Sequence, residues 1–243
     1  MRTRFGISGC VLKYLAVILM AIDHIGASIL EVYVLNIRMN APAGTYFYPW
    51  WDQILMVDRI IRYIGRLAFP IFCFLLVEGF LHTRDVKKYA VRLGLFALIS
   101  EIPFDLALHA SFWSPGWQNV YFTLLIGLLT IWFIRREAHR PVLCSVGILA
   151  GVCLAELLHT DYGAVGVAAI VLLYLTREKR VWQCAAGAVC FAYEYTAPLA
   201  FVPIWLYNGE RGRQPRWFFY WFYPIHLLVY AGVGYWLIPA LIK

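Results

Sequence analysis

Lys13, Asp23 and His24 lie in one apolar run, Lys13-Tyr-Leu-Ala-Val-Ile-Leu-Met-Ala-Ile-Asp23-His24, that is long enough to enter a bilayer deeply. Ionisable side chains at such depth are costly and as a rule functional. Lys13 and His24 are eleven residues apart, about three helical turns, so both project from one helix face roughly 16 Å apart along the axis. That face carries a cation near one membrane surface and a base near the midplane. Asp23 points about 100° away from its neighbour and is therefore poorly placed to orient the imidazole. Glu101 and Asp105, four apart on one face of a later apolar run, are the better candidates to orient it, and His226 lies in the last run after Phe222-Tyr223-Pro224-Ile225.

The elements that must position these groups are membrane helices. The 243 residues are 62% hydrophobic, 17% aromatic and only 14% charged, with a mean hydropathy of +0.68. An ordinary soluble domain is nearer half apolar. Apolar runs recur at about 12–34, 64–82, 89–109, 119–134, 142–158, 162–176, 181–193, 197–208 and 217–241, without the period-two alternation of barrel strands. They predict an all-α polytopic membrane bundle of about nine transmembrane helices, forming one integral membrane domain over 1–243. The first run is long, contains Asp23 and His24 and lacks a clear cleavage site, so it is read as retained.

A net charge of +7 does not indicate nucleic acid, because the bases fall in short clusters between runs: Arg84/Lys87/Lys88/Arg92, Arg135/Arg136/Arg140, Arg177/Lys179/Arg180 and Arg211/Arg213/Arg216. They alternate with base-poor connections, which places the N-terminus in the cytoplasm and the C-terminus outside. The six cysteines show no metal-type spacing; no metal or disulfide framework is expected. Residues 35–63 stand apart as an aromatic-rich outer loop, expected to be a partly helical cap that anchors at the interface, with a gate or acceptor clamp as its functional alternative.

Within the runs, Arg59, Arg62 and Arg66 form a helical stripe whose expected partners are Glu101 and Asp105. Glu78 must face the bundle interior or a wet cavity. Asp161-Tyr162-Gly163 opens a run and reads first as a helix cap. Asn208-Gly209-Glu210-Arg211-Gly212-Arg213 is a flexible basic turn able to hold phosphate or anchor at the membrane. The remaining histidines, His82, His109, His139 and His159, fall near run ends and read as ordinary.

Six segments together resemble the TraX family: Lys13-x10-His24; Ile64-Gly-Arg66-Leu-Ala-Phe-Pro70 through Glu78-Gly79; Ser100-Glu101-Ile-Pro-Phe-Asp105; Asp161-Tyr162-Gly163; Tyr207-Asn208-Gly209-x-Arg211-Gly212; and Phe222-Tyr223-Pro224-x-His226. A weaker likeness links the first two runs to the acyltransferase 3 and heparan-glucosaminide acetyltransferase families, with Lys13 where the former has arginine. The TraX resemblance implies acetyl transfer from acetyl-CoA to a peptide amine, as in pilin N-terminal acetylation, with a glycan or small-molecule hydroxyl as the other acceptor class. On that reading His24 is the general base, a transient acetyl-histidine being the lesser alternative. Glu101 or Asp105 holds its tautomer, and Tyr223, His226 or Arg66 donates to the oxyanion. Lys13, Arg66, Glu78, Arg84, Lys88, Asn208 and Arg211 are the candidate contacts of coenzyme A, whose arm is expected to run along the first helix from Lys13 to His24. The competing readings are a small secondary transporter or proton-coupled permease, and a non-catalytic envelope scaffold.

Overall fold

The computed structural model describes residues 6–35, 50–213, 215 and 217–241; their regular structure is helical, with two isolated bridges in the connections. The helices are α1 (Gly9–His24), α2 (Trp50–Gly65), α3 (Ala68–His82), α4 (Val86–His109), α5 (Val120–Arg136), α6 (Pro141–Leu157), α7 (Gly163–Leu175), α8 (Arg180–Cys190), α9 (Phe201–Trp205), α10 (Phe218–Gly232) and α11 (Ile238–Leu241). Two of them widen into π-helix, α1 over Ile25–Leu35 and α10 over Val233–Leu237. A short 3-10 turn, Ala197–Ala200, leads into α9.

Each expected apolar run emerges as helix, and among the described residues three helical stretches are long and apolar enough to cross a membrane: Gly9–Leu35, Trp51–His82 and Phe218–Ala240. At about 1.5 Å per α-helical residue, α8 reaches only about 16 Å, and α9 with its 3-10 turn, which rises about 2 Å per residue, about 15 Å, against a hydrocarbon core of about 30 Å. These two form a short hairpin whose tip is residues 191–196.

Helix starts are set by side chains that satisfy free backbone N–H groups. Ser8 accepts from the Val11 amide, Asp85 from Lys88 (3.0 Å) and Asn119 from Tyr121 (3.0 Å). The Asp161-Tyr162-Gly163 segment does not cap α7 as expected. Glu156, on the preceding helix, accepts from the Ala164 amide (3.1 Å), and Tyr162 instead sits in the left-handed region at φ 64°.

α3 is the most enclosed element, with Ile71, Cys73, Phe74, Val77 and Phe80 fully buried. Around it pack α1, α5 and α7, while α10 lies mainly on α4 and touches α1. Among the described residues, the basic clusters sit at the end of the bundle where α1 begins. Arg135 lies over Phe80, Arg180 over Phe74 and Tyr207, and the Gly9 amide bonds the Glu210 carbonyl. At the opposite level the α5 and α7 starts and the hairpin tip meet the junction of α2 and α3.

The second half of the expected outer loop is helix, α2; residues 36–49 lie outside the described residues. α2 ends at Gly65, and Arg66–Leu67 break it from α3. Two glycines let α1 and α2 approach. A Cβ on Gly65 would collide with Asp23, and one on Gly26 would meet the Arg62 and Asp58 side chains at 2.7–2.8 Å. Substituting Gly65 by alanine is expected to cost about 1–3 kcal/mol through overpacking. A lowered melting temperature in detergent checks this, with Gly116→Ala, which has open space around it, as the silent control.

Candidate functional site

The two adjacent polar residues of α1 go to different helices. Asp23 faces α2, where Arg62 donates to its carboxylate and to its backbone carbonyl (3.4 Å). His24 faces α10, where its Nδ1 lies 2.7 Å from His226 Nε2 and the two rings stack at 5.0 Å with 15° between planes. Both imidazoles are buried.

This chain assigns its own protons. His226 Nδ1 lies 2.8 Å from the Phe222 carbonyl, which can only accept, so His226 carries its proton on Nδ1 and presents a bare Nε2. His24 must then donate from Nδ1. The remaining ring nitrogen, His24 Nε2, is left with a free lone pair, the form required of a base or nucleophile.

Aromatic rings frame the pair. Tyr223 approaches His24 edge-on at 5.9 Å and Tyr121 stands perpendicular to Tyr223 at 5.1 Å. The buried Tyr223 hydroxyl lies near the Val120 amide without a well-formed hydrogen bond. Pro224 has no N–H for the Tyr220 carbonyl one turn back, and the Tyr121 hydroxyl donates to that carbonyl (3.3 Å).

On the α2 side, Arg62 also reaches Glu31 (3.0 Å), and Arg66 reaches Glu194 of the hairpin tip (3.2 Å) and the Tyr162 hydroxyl. The tip is further tied down where the Thr196 hydroxyl donates to the Tyr63 carbonyl (2.5 Å). Arg62, Arg66, Asp58, Glu194, Tyr193 and Tyr195 line a cavity of about 550 Å³. Asp161 is in electrostatic range of Asp23, Arg66, Arg62 and Glu194; burial pushes its carboxyl up to about 6, and burial likewise raises Glu194.

Several sequence-based assignments are corrected. Neither Glu101 nor Asp105 orients His24, because each is engaged elsewhere. Glu101 accepts from the Asn119 amide (3.0 Å) and side chain, bracing the start of α5. Asp105 accepts from the Ser114 amide (2.7 Å) and lies 3.6 Å from His109, holding the turn after α4. The partner of His24 is His226. The arginine stripe likewise pairs not with α4 but with Asp23, Glu31 and Glu194.

The candidate coenzyme contacts divide. Arg66 belongs to the inner polar layer just described. Lys13 and Arg211 lie in mutual electrostatic range at the start of α1, where the Asn208 backbone N–H donates to the Ile7 carbonyl (3.1 Å). Glu78 reaches Tyr207 at this same end. Arg84 is exposed on the turn between α3 and α4, and Lys88 is exposed in the first turn of α4, 3.4 Å from Asp85. The face of α1 from Lys13 to His24 is covered by α10. Lys13 lies over the Phe219 ring (5.3 Å), Phe218 and Phe219 pack on Tyr14, and the Tyr230 hydroxyl donates to the Ala21 carbonyl (3.1 Å). The expected open track is therefore a packed aromatic seam.

Arg62 as the partner of Asp23, and Glu194 as a member of the layer, were not anticipated. For Glu194 the signal was a lone carboxylate between two tyrosines in a connection otherwise poor in charge.

The family model described as TraX protein matches residues 8–234, so it takes in Asp23, His24, Arg62, Glu194 and His226 alike. The chain belongs to the TraX family. Among curated relatives, it is 28% identical over 248 residues to the probable fimbrial assembly protein FimC, serogroup H1, of Dichelobacter nodosus, covering 89% of this chain and 91% of that one. It is 25% identical over 172 residues to an uncharacterized protein, RP591, of Rickettsia prowazekii (strain Madrid E), covering 70% of this chain and 56% of the other. No solved structure matches.

For this TraX chain, a carboxyl whose folded pKa lies above its unfolded value weakens folding once both states are ionised, since the folded state holds its proton longer. For Asp161 that loss develops as pH rises from about 4 to 6. Asp161→Asn is therefore expected to be more stable than the parent at pH 7, by at most about 3 kcal/mol. The advantage should vanish below pH 4, as read from paired melting curves across that range.

Proposed function

We propose that this chain is a membrane-embedded acetyltransferase that moves an acetyl group from cytosolic acetyl-CoA to an acceptor at the outer side of the bilayer. The observation that carries the reading is the buried His24–His226 pair, whose hydrogen bonds leave His24 Nε2 as a lone-pair nitrogen. Family membership supports it, and the relative named as a probable fimbrial assembly protein favours a peptide amine in a fibre subunit over a glycan or small-molecule hydroxyl.

The bundle is read as one membrane domain with about nine passages, the seventh and eighth being the short hairpin, the N-terminus in the cytoplasm and the C-terminus outside. The shared end of the basic clusters supports this orientation. Whether the hairpin crosses or turns back, the parity of the remaining passages is unchanged.

In the reaction, His24 Nε2 takes the proton of the acceptor amine or hydroxyl as that atom attacks the thioester carbonyl. A bond from the acceptor to the acetyl carbon forms, the carbon–sulfur bond breaks, and the imidazolium returns its proton to the departing thiolate. His226 holds the His24 tautomer and shares the developing charge. Tyr223, whose hydroxyl lacks a well-formed hydrogen bond, is the donor best placed to serve the oxyanion. Coenzyme A approaches the basic end with its phosphates at Lys13 and Arg211, and its arm reaches His24 only if α10 parts from α1 along their aromatic seam. No resident metal takes part, and no nucleic acid is bound.

His24→Ala is expected to lower transfer of labelled acetyl from acetyl-CoA by about a hundredfold or more while the protein still melts cooperatively in detergent. Full activity in that variant overturns the assignment of the base. The purified parent should bind acetyl-CoA saturably at micromolar concentration; absence of binding favours a permease or a scaffold.

A further inference from the structure

Pro224 divides α10. It has no N–H for the Tyr220 carbonyl, so the helix lacks one of the bonds that tie its first turn, Phe218–Trp221, to the part that carries His226. The two sides of this break are joined to their neighbours by different forces. Beyond it, the Tyr230 hydroxyl donates to the Ala21 carbonyl of α1 (3.1 Å), and Tyr33, on the π-helical end of α1, meets Tyr235 edge-on at 5.3 Å. Gly234 lies so close to the Tyr33 ring that a Cβ there would collide with it, and the Tyr33 hydroxyl donates to the Leu106 carbonyl of α4 (2.6 Å). Hydrogen bonds and a close backbone approach therefore fix the outer parts of α1, α4 and α10 to one another. Before the break, α1 meets α10 through rings, with Phe218 and Phe219 against Tyr14 and Lys13 over Phe219, while Tyr220 and Trp221 rest on Phe96 of α4. Ring contacts can slide apart without stranding a buried donor or acceptor, and a hydrogen bond cannot. Trp217, Phe218 and Trp221 are also exposed. Across the break itself stands Tyr121 of α5, whose hydroxyl donates to the Tyr220 carbonyl (3.3 Å).

We propose that the first turn of α10, Phe218–Trp221, is a flap hinged at Pro224 and latched by Tyr121, which swings from α1 at the basic end and opens the way to His24 while the outer parts of the two helices stay together. A hinge between Trp221 and Pro224 leaves the Phe222 carbonyl with His226, so the proton assignment of the imidazole pair survives the opening. The passage of the coenzyme arm beneath the flap rests on the acetyl-transfer reading; the motion of the flap does not.

Two substitutions act on the flap in opposite directions. Tyr121→Phe keeps the ring and removes the latch, and Pro224→Ala supplies the N–H that the Tyr220 carbonyl lacks. Motion is read without any ligand on the purified full chain in detergent, from distances between spin labels. Labels are carried at the exposed positions of Trp217→Cys with Val142→Cys at the basic end, and of Trp236→Cys with Leu157→Cys at the other. Cys10, Cys144, Cys153 and Cys190 are replaced by alanine, and the buried Cys73 and Cys184 are left in place. Tyr121→Phe is expected to broaden the Trp217–Val142 distribution relative to the parent and Pro224→Ala to narrow it, with the Trp236–Leu157 distances unchanged by either. Calorimetry with acetyl-CoA then reads the use of the flap. Tyr121→Phe should tighten binding about threefold to tenfold by raising the open fraction, and Pro224→Ala should weaken it, whereas a merely structural tyrosine would weaken binding when removed. Either variant alone gives the reading if the other does not fold. Inner distances that neither folded variant alters, or outer distances that move with them, overturn the flap; altered distances in a chain that binds no acetyl-CoA uphold it and overturn the coenzyme reading instead.

Discussion

Two neighbouring side chains on a helix cannot face the same way, and in this bundle that constraint decides which helices must surround α1. Asp23 and His24 diverge by about 100°, and neither can be left unpartnered in apolar surroundings. Asp23 is met by Arg62 of α2 and His24 by His226 of α10. The π-helical widening that begins at Ile25, immediately after them, fits a local backbone adjusted around a polar pair. Gly26 and Gly65, one on each helix, provide the closeness that the Asp23–Arg62 contact requires.

From that pair the polar layer spreads outward through charges that each answer another. Arg62 reaches Glu31, Arg66 reaches Glu194, and Asp161 lies in electrostatic range of Asp23, both arginines and Glu194. The helices that supply the layer end at it: α5 begins at Val120, α7 at Gly163, and the hairpin turns at 191–196. Backbone groups exposed at those ends need partners, and carboxylates of neighbouring helices provide them, as Glu101 does for Asn119 and Glu156 for Ala164. The remaining depth of the bundle, toward Lys13, is hydrocarbon and aromatic packing around α3.

The helices were legible because their apolar runs are long and bounded by basic clusters, and the end at which those clusters gather follows from their alternation. Spacing within one helix was also readable: Arg59, Arg62 and Arg66 do share a register, and the divergence of Asp23 from His24 follows from helix geometry alone. What spacing along one chain does not contain is which helix lies next to which. Glu101 and Asp105 share a face, yet α4 packs on α5 and α10, so their carboxylates meet the start of α5 and the turn after α4 and never approach the arginines. Asp161 failed as a cap for a related reason. Glu156, brought alongside by the turn between α6 and α7, occupies the position first, and Asp161 is left to join the charged layer.

The imidazole chain stops at the carbonyl of Phe222. A peptide oxygen has no proton to give and no tendency to keep one, so the wire has a single open terminus. Whatever proton arrives at His24 Nε2 must depart from that same nitrogen, and none can be passed along the rings from one face of the bilayer to the other. Such a cul-de-sac suits a group that borrows a proton and returns it within one reaction cycle, and it is the wrong plumbing for a carrier that must vent protons down a gradient.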